Sequence, residues 1–477
     1  MELSIRKNKI HEHFNQLADS YNGYRKRFNY YENDIVKYLN FFLQENSSVL
    51  EIGCGTGNTL SKLIANKKVG IDISENMIAV AKENVTNADF FVMDAEDFSL
   101  KEKFDVIIFN NVVGYLDNIQ DVFYSIKENC HANTRIIISY YNHWWEPLLN
   151  FGELIGIKKK SPHQNWLNES DISNLLYLSG FETYRTNRRL LIPINIPIIS
   201  WFFNKYIAKL PLIKSLCLNQ FIFARPYISE TEATVSDEFS VTICIPARNE
   251  SGNIENAILR LPKFGKEQEI IFVEGNSSDD TWEVIQQMQE KYKSTHDIKI
   301  TQQDGKGKGD AVRKGYDMAT KDILMILDAD LTVPPEELPK FYNAIATRKA
   351  EFINGSRLVY QMDKEAMRFL NTLGNKFFSK VFSWLLEQPI KDTLCGTKVM
   401  FRKDYIQLKA NRKFFGDFDP FGDFDLLFGA YKLNLKIIDL PIRYRERTYG
   451  DTNISRFTNG WMLLRMCWFA AGKIKFW

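Results

Sequence analysis

Short, β-branched apolar runs recur along this chain, and stretches of helical length separate them. The first series begins at "SSVLEIGCGTG" (47–57) and continues through "KKVGIDIS" (67–74), "ADFFVMD" (88–94), "FDVIIFNNV" (104–112) and "TRIIISYYN" (134–142). The second begins at "EFSVTICIPARNE" (238–250), then "QEIIFVEGNSSDD" (268–280), "IKITQQD" (298–304), "DILMILDAD" (322–330) and "AEFINGSR" (350–357). Both read as βα units, and the first has the pattern of a doubly wound parallel sheet. Between them "RPYISETEATVSDE" (225–238) is polar, acidic and without periodicity, the composition of a linker. No internal repeat joins the halves. The expectation is an α/β chain of two domains, 1–228 and 238–477, joined by a linker at 229–237.

A length of 477 residues, 45% hydrophobic and 25% charged, fits that division and a folded chain. Six cysteines lie far apart with no CxxC, which argues for reduced thiols in a cytoplasm and against a zinc or disulfide framework. The N-terminal stretch "MELSIRKNKIHEHFNQ" has no apolar h-region, which argues against secretion. The net charge of +2 hides a segregation, with ten Lys/Arg against three acids over 156–226 and seven against two over 441–477. Both segments are also apolar and aromatic, and Pro193 and Pro197 interrupt the longer one. Neither holds the ~18 uncharged apolar residues of a spanning helix. They suit a peripheral contact with an anionic leaflet, on the cytoplasmic face. A buried strand pair with a C-terminal core helix is the other reading. No nucleic-acid partner is expected.

The loop "EIGCGTG" leaves a predicted strand and enters the helical stretch "NTLSKLIAN". Gly53, Gly55 and Gly57 permit a tight turn and close approach of a ligand to bare backbone. Glycine spacing alone also fits a dinucleotide fold, but the context argues against NAD. Glu51 precedes the first glycine, and Asp72 ends the next strand, where a carboxylate can grip a ribose diol. "MDAED" (93–97) then ends the third strand and "FDVIIFNNVVGYLDN" the fourth. In this order, residues 10–225 resemble class I S-adenosylmethionine-dependent methyltransferases, a Rossmann-like fold. The resemblance implies S-adenosylmethionine as cofactor, its methionine part facing the glycine loop beside Glu51. Asp72 matches the ribose acid, Ile73 and Met77 lie beside adenine, Asp94 and Ala95 match the adenine-edge pair, and Asn110 matches the position after strand four. Methyl transfer to oxygen wants a base near strand four, and Asn110-Asn111 offer none. His143 in "YYNHWWEPLLN" and Tyr115 are the nearest candidates, although a histidine beside two tryptophans also reads as structural. A module that only binds cofactor or docks stays open.

In the second series, Asp328 and Asp330 flank Ala329 at the end of the oily run Ile323–Leu327. Charge there is costly unless paired, and a short D-x-D turn can aim carboxylates at one hard divalent cation, Mg²⁺ or Mn²⁺. Such a cation clamps a diphosphate and neutralises a departing nucleotide. "VTICIPARNE", "VEGNSSDDT" and "DGKGKGDAVRKG" precede this pair in order. That order over 238–457 resembles family 2 glycosyltransferases of the GT-A fold. The resemblance implies that Pro246, Ala247, Glu250 and Glu274 line the nucleoside, that Lys308 meets base and phosphate, and that Asp328 and Asp330 form the metal motif.

"NGSRL" (354–358) and "DTLCGTKVMFRK" (392–403) resemble the polyprenyl-phosphate branch, the dolichyl-phosphate glucosyltransferases and mannose synthases, in which Arg357 and Arg368 match arginines that hold lipid phosphate. Thr332 departs from that branch, which places a Gln there. In "FGDFDLL" (421–427), Asp423 matches the base of the family's acidic motif and Asp425 its supporting partner, although Gly422 replaces the motif's Glu. The pair also reads as a helix cap. A hydroxyl acceptor needs a base, whereas a phosphate is already anionic. Together the resemblances imply a bifunctional transferase. It moves a sugar, with inversion, from a nucleotide-diphosphate sugar to polyprenyl phosphate or a lipid-linked glycan in cell-surface polysaccharide or glycolipid assembly. The alternative is a glycosyltransferase acting on a glycan hydroxyl, whose N-terminal half only binds or docks.

Overall fold

The apolar runs of the first series become five parallel strands: β1 (Ser48–Ile52), β2 (Lys67–Asp72), β3 (Asp89–Val92), β4 (Phe104–Asn110) and β5 (Cys130–Tyr141). The computed structural model describes residues 4–227, 238–359, 369–414, 422–445, 447, 449 and 456–476. The expected linker 229–237 lies outside them. The chain divides into two units, Met1–Tyr227 and Ile228–Trp477.

In the first unit two more strands, β6 (Phe181–Arg189) and β7 (Asn219–Pro226), complete a sheet of order β3-β2-β1-β4-β5-β7-β6. β7 runs antiparallel to both of its neighbours. Leu50, Ile107 and Ile136–Ile138 are fully buried at its centre, each worth about 1.5–3 kcal/mol of burial. The strand order reverses between β1 and β4, the crevice where such sheets place ligands. Two helices precede the sheet, α1 (Ile5–Arg25) and α2 (Asn29–Phe42). The basic segment 190–223 is divided by the fold. Asn219–Phe223 lie buried in β7, whereas Ile198, Trp201 and Leu212 stand exposed around the short helix Ile199–Lys205.

The second unit holds β8 (Val241–Ala247), β9 (Gln268–Glu274), β10 (Asp297–Gln302), β11 (Ile323–Ile326), β12 (Phe352–Ser356), β13 (Lys398–Phe401) and β14 (Ile437–Pro441). Its sheet order is β10-β9-β8-β11-β13-β12-β14. The strands β10, β9, β8 and β11 are parallel, and β13 is antiparallel to β11 and β12. Ile243, Ile245, Ile323 and Met325 fill the core between the sheet and its helices. The C-terminal helix Arg456–Ile474 packs on helix Phe369–Leu386. It buries Leu463, Met466 and Ala470 and exposes Trp461 and Trp468. Among the described residues, no helix is long and apolar enough to cross a membrane.

Candidate active sites

The β1–β4 crevice of the first unit opens into a cavity of about 290 Å³. Glu51, Gly53, Gly55, Asp72, Ile73, Met77, Asp94, Ala95 and Asn110 line it. Asp72 accepts the Gly55 N–H at 2.8 Å and the Ser74 N–H at 3.0 Å, which fixes the turn after β1 against the end of β2. Gly53 sits at φ +71°, and a Cβ there would come within 2.4 Å of Val112. Gly57 does not line the cavity. Its own positive φ starts the next helical turn, and a Cβ would meet the Phe90 ring at 2.7 Å, so its role is packing. Glu51 is buried with Oε2 lacking a hydrogen bond, and burial pushes its carboxyl up to about 8, against the pull of Arg25. Asp94 pairs with Lys7 of α1 at 2.7 Å.

Helix α1 forms a wall that motif reading missed. Ile10, Phe14, Leu17, Tyr21 and Tyr24, with Phe28 just beyond its end, all line the cavity. Their spacing alternates four and three, one stripe of a helix, so the signal was in the sequence but outside the βα series. His13 also lines the cavity, and burial with the nearby Lys159 charge lowers its pKa. Tyr115 is at the cavity too, while His143 lies off it, its ring tilted 36° against that of Trp144. Of the two nearest candidates for a base near strand four, Tyr115 is therefore at the cavity and His143 is not, and the histidine that lines it, His13, comes from α1.

In the second unit, the sites named from sequence gather at the strand ends. Pro246 and Ala247 end β8, and Glu274 ends β9, accepting from the Ser277 N–H at 2.5 Å and Gln302 Nε2 at 3.1 Å. Lys308 opens the helix Lys308–Met318 and pairs with Asp328. Burial opposes the charge of Lys308, but Asp328 and Asp423 raise its pKa well above the ordinary lysine value. Asp330 pairs with Arg447 Nη2 at 2.7 Å, and Arg447 Nη1 reaches Glu250 at 3.3 Å. The Thr332 hydroxyl and N–H donate to Asp330 Oδ1 at 2.8 and 3.1 Å. Where the family branch puts Gln, Thr332 thus locks the D-x-D turn. Arg447 was not foreseen; its only sequence signal is the basic run "RYRER".

Asp423 begins the helix Asp423–Lys432, buried, with Oδ1 making no hydrogen bond and Lys398 Nζ 3.6 Å away. Asp425 does not support it. Two positions along a helix point to different faces, and Asp425 pairs with Arg412 at 3.1 Å instead. Arg357 is engaged by Asp392, which accepts from Nε at 2.7 Å and Nη2 at 2.9 Å. Arg368 lies outside the described residues. Gly422 has a reason to replace Glu: it sits at φ +75°, and a Cβ would come within 2.7 Å of Gly309 Cα. We expect Gly422→Ala to cost about 1–3 kcal/mol of stability. Thermal unfolding checks this, and an unchanged midpoint would refute the close approach. Among the described residues, no group of three or more His, Cys, Asp or Glu side chains is arranged to hold a metal.

Comparison with known proteins finds a match within each unit. Residues 43–177 match the family model described as methyltransferase domain, and residues 242–408 the one described as glycosyl transferase family 2. The chain is 30% identical over 182 residues to the malonyl-[acyl-carrier protein] O-methyltransferase of Bacillus cereus, covering 36% of this chain and 66% of that protein. It is also 30% identical over 223 residues to the dolichol-phosphate mannosyltransferase of Pyrococcus furiosus, covering 45% and 59%. The chain thus spans about three fifths to two thirds of the length of these relatives. A solved structure of a SAM-dependent methyltransferase from Thermotoga maritima aligns at a TM-score of 0.36 and 14% identity, over 45% of this chain and 99% of that one. The chain joins a methyltransferase domain to a glycosyl transferase family 2 domain.

Proposed function

We propose that the second unit transfers a sugar, with inversion, from a nucleotide-diphosphate sugar to a lipid-linked acceptor, with polyprenyl phosphate the leading choice. The observation that carries this reading is the Asp328–Asp330 pair beyond β11, each carboxylate facing a cation, Lys308 or Arg447. The two carboxylates, each now neutralised by a cationic side chain, are hard oxygen donors that would hold Mg²⁺ or Mn²⁺ in place of those contacts. The metal supplies positive charge to the departing diphosphate. Pro246, Ala247, Glu250 and Glu274 bind the nucleoside, and Lys308 adds charge beside the phosphates. Likeness to a dolichol-phosphate mannosyltransferase supports the polyprenyl-phosphate acceptor. A glycan hydroxyl is the second reading, favoured by the unbonded Oδ1 of Asp423, a base in waiting. The test is to incubate the purified chain with a panel of nucleotide sugars and Mn²⁺ and score hydrolysis. No hydrolysis of any donor would sink the reading.

The first unit, on the same proposal, binds S-adenosylmethionine and methylates a second acceptor. Its cavity fits the group because Glu51 Oε2 is buried without a partner beside the glycine turn, a place for a cationic ligand. When bound, the cofactor supplies a methyl group on a sulfonium. A cation draws the Glu51 carboxyl to its ionised form, so binding releases a proton wherever the free carboxyl is still protonated. With its pKa near about 8, affinity should fall by up to about tenfold per unit as pH drops below that value. Titration calorimetry in buffers of different ionisation enthalpy reads the proton directly. Glu51→Gln should flatten the profile, and a flat wild-type profile would remove Glu51 from that role.

We place the protein at the cytoplasmic face of a membrane in polysaccharide or glycolipid assembly. The exposed Trp201 and Trp468 among basic residues support that placement.

A further inference from the structure

The methyltransferase cavity and the exposed apolar face of the first unit share their border. Leu149, Pro193 and Ile194 line the cavity, together with Lys158, Lys159 and Lys160. Ile194 is itself more than half exposed. Leu148, Phe151 and Leu154 extend from Leu149 along the helix Glu146–Leu154, and Leu154 is 81% exposed. From Ile194 the apolar surface continues through Ile198 and Trp201 to Leu212, with Ile198 80% and Leu212 87% exposed. The two segments are tied side by side: Trp145 Nε1 donates to Leu216 O, and Asn142 Nδ2 to Ser215 O, both at 2.8 Å. An apolar patch of this extent on a folded unit marks an interaction surface.

Its charge names the partner. Residues 183–229 contain no Asp or Glu, while the half-buried Lys205 and Lys214 neighbour the exposed Trp201 and Leu212 in sequence. Lys205 lies over the Trp201 ring at 5.5 Å, an arrangement suited to the boundary between acyl chains and head groups. At the mouth, Lys158 is held by Glu153, whereas Lys159 reaches Ser20 Oγ at 3.1 Å and the Tyr24 ring. The mouth is therefore basic and its rim apolar. Inside, Asn110 and Asn111 supply no base at the end of β4, and the histidine at the cavity is His13 of α1; an acceptor oxygen that is already anionic, drawn in by the lysines of the mouth, makes no demand on either.

We propose that the methyl acceptor enters from a lipid surface, as the anionic oxygen of an amphiphile whose chain stays in the bilayer. This rests on the methyltransferase reading above. Lys158–Lys160 draw the carboxylate or phosphate head group inward while Ile194, Ile198, Trp201 and Leu212 seat the rim among anionic lipids. The acceptor oxygen bonds to the methyl carbon with a pair it holds, the carbon–sulfur bond breaks with its pair left on sulfur, and no proton has to leave.

The test uses the full chain and vesicles of phosphatidylcholine with or without phosphatidylglycerol, some carrying brominated lipid to quench tryptophan. Oleic acid and oleyl phosphate in the vesicles serve as acceptor probes, and hexanoate and hexyl phosphate as water-borne counterparts. We expect quenching with anionic vesicles, and label from S-adenosylmethionine in the long-chain probes but not the hexyl ones. The double variant Ile198→Asp, Leu212→Asp lies off the cavity. It should bind S-adenosylhomocysteine as wild type does, yet lose quenching and label about tenfold. Lys158, Lys159 and Lys160 changed together to Ala should lose label with cofactor binding kept. Vesicle binding with label in the hexyl probes, or in none, overturns the acceptor route and leaves the membrane contact standing. Unchanged quenching in the double variant overturns this face as the membrane contact, and a protein partner then covers it. Failure to bind S-adenosylhomocysteine at all removes the methyltransferase reading itself.

Discussion

Asp330→Asn will lower glycosyl transfer by about 10²–10³-fold while leaving the fold in place, whichever acceptor is used. The turn that carries Asp330 depends on one of its oxygens, Oδ1, which accepts from Thr332 Oγ1 and N. An asparagine oxygen can accept the same two bonds, so the shape of the D-x-D turn survives. What is lost is the negative charge, which here faces Arg447, whose other nitrogen reaches Glu250, and which on the proposed mechanism would face the cation. A diphosphate that leaves without that cation carries uncompensated charge, and removal of one such stabilising group costs about 2.7–4 kcal/mol of barrier. The measurement is the initial rate against Mn²⁺ concentration, with circular dichroism as the control for folding. Wild-type transfer that persists in a chelator would remove the metal from the mechanism. A variant rate equal to wild type would remove Asp330.

The βα series was legible because each strand is a short β-branched run bounded by turn residues, and all ten expected strands are present. The strands that escaped had other patterns. β6, "FETYRTNRR", is mostly polar with three arginines and reads as a basic segment, and β7 merges with the apolar stretch before it. β13 is only four residues long, "KVMF". Within the sites, residues fixed by the end of a strand were legible, as with Asp72, Glu274 and Asp328. Residues brought in from outside the series were not. His13 lies 38 positions from Glu51 and Arg447 lies 117 from Asp330, and no local rule joins either pair. Asp425 is a different case: its supporting role was implied by the resemblance to the acidic motif, whereas a helix turns i and i+2 apart and Asp425 pairs with Arg412.

The second large effect separates the two glycosyl acceptors. Asp423→Asn should reduce transfer to a glycan hydroxyl by about 10²–10⁴-fold, because the hydroxyl must lose its proton as the new bond forms. The structure gives Asp423 the features such a role requires: a buried carboxylate, Oδ1 without a hydrogen bond, and Lys398 at 3.6 Å to hold the charge. With a polyprenyl phosphate the nucleophile is already anionic, so the same substitution should cost far less. Phosphate contacts should then be the sensitive points, with Arg368→Ala the direct probe. Arg357→Ala is a poorer one, since its removal also leaves buried Asp392 without its cation, and a lost fold would mimic a lost contact. The comparison is made on one donor with a short polyprenyl phosphate and with a glycolipid hydroxyl, using wild type, Asp423→Asn and Arg368→Ala. We expect transfer to the phosphate, modest loss in Asp423→Asn and severe loss in Arg368→Ala. Wild-type transfer only to the hydroxyl, abolished in Asp423→Asn, would reverse the choice of acceptor and make Asp423 the base.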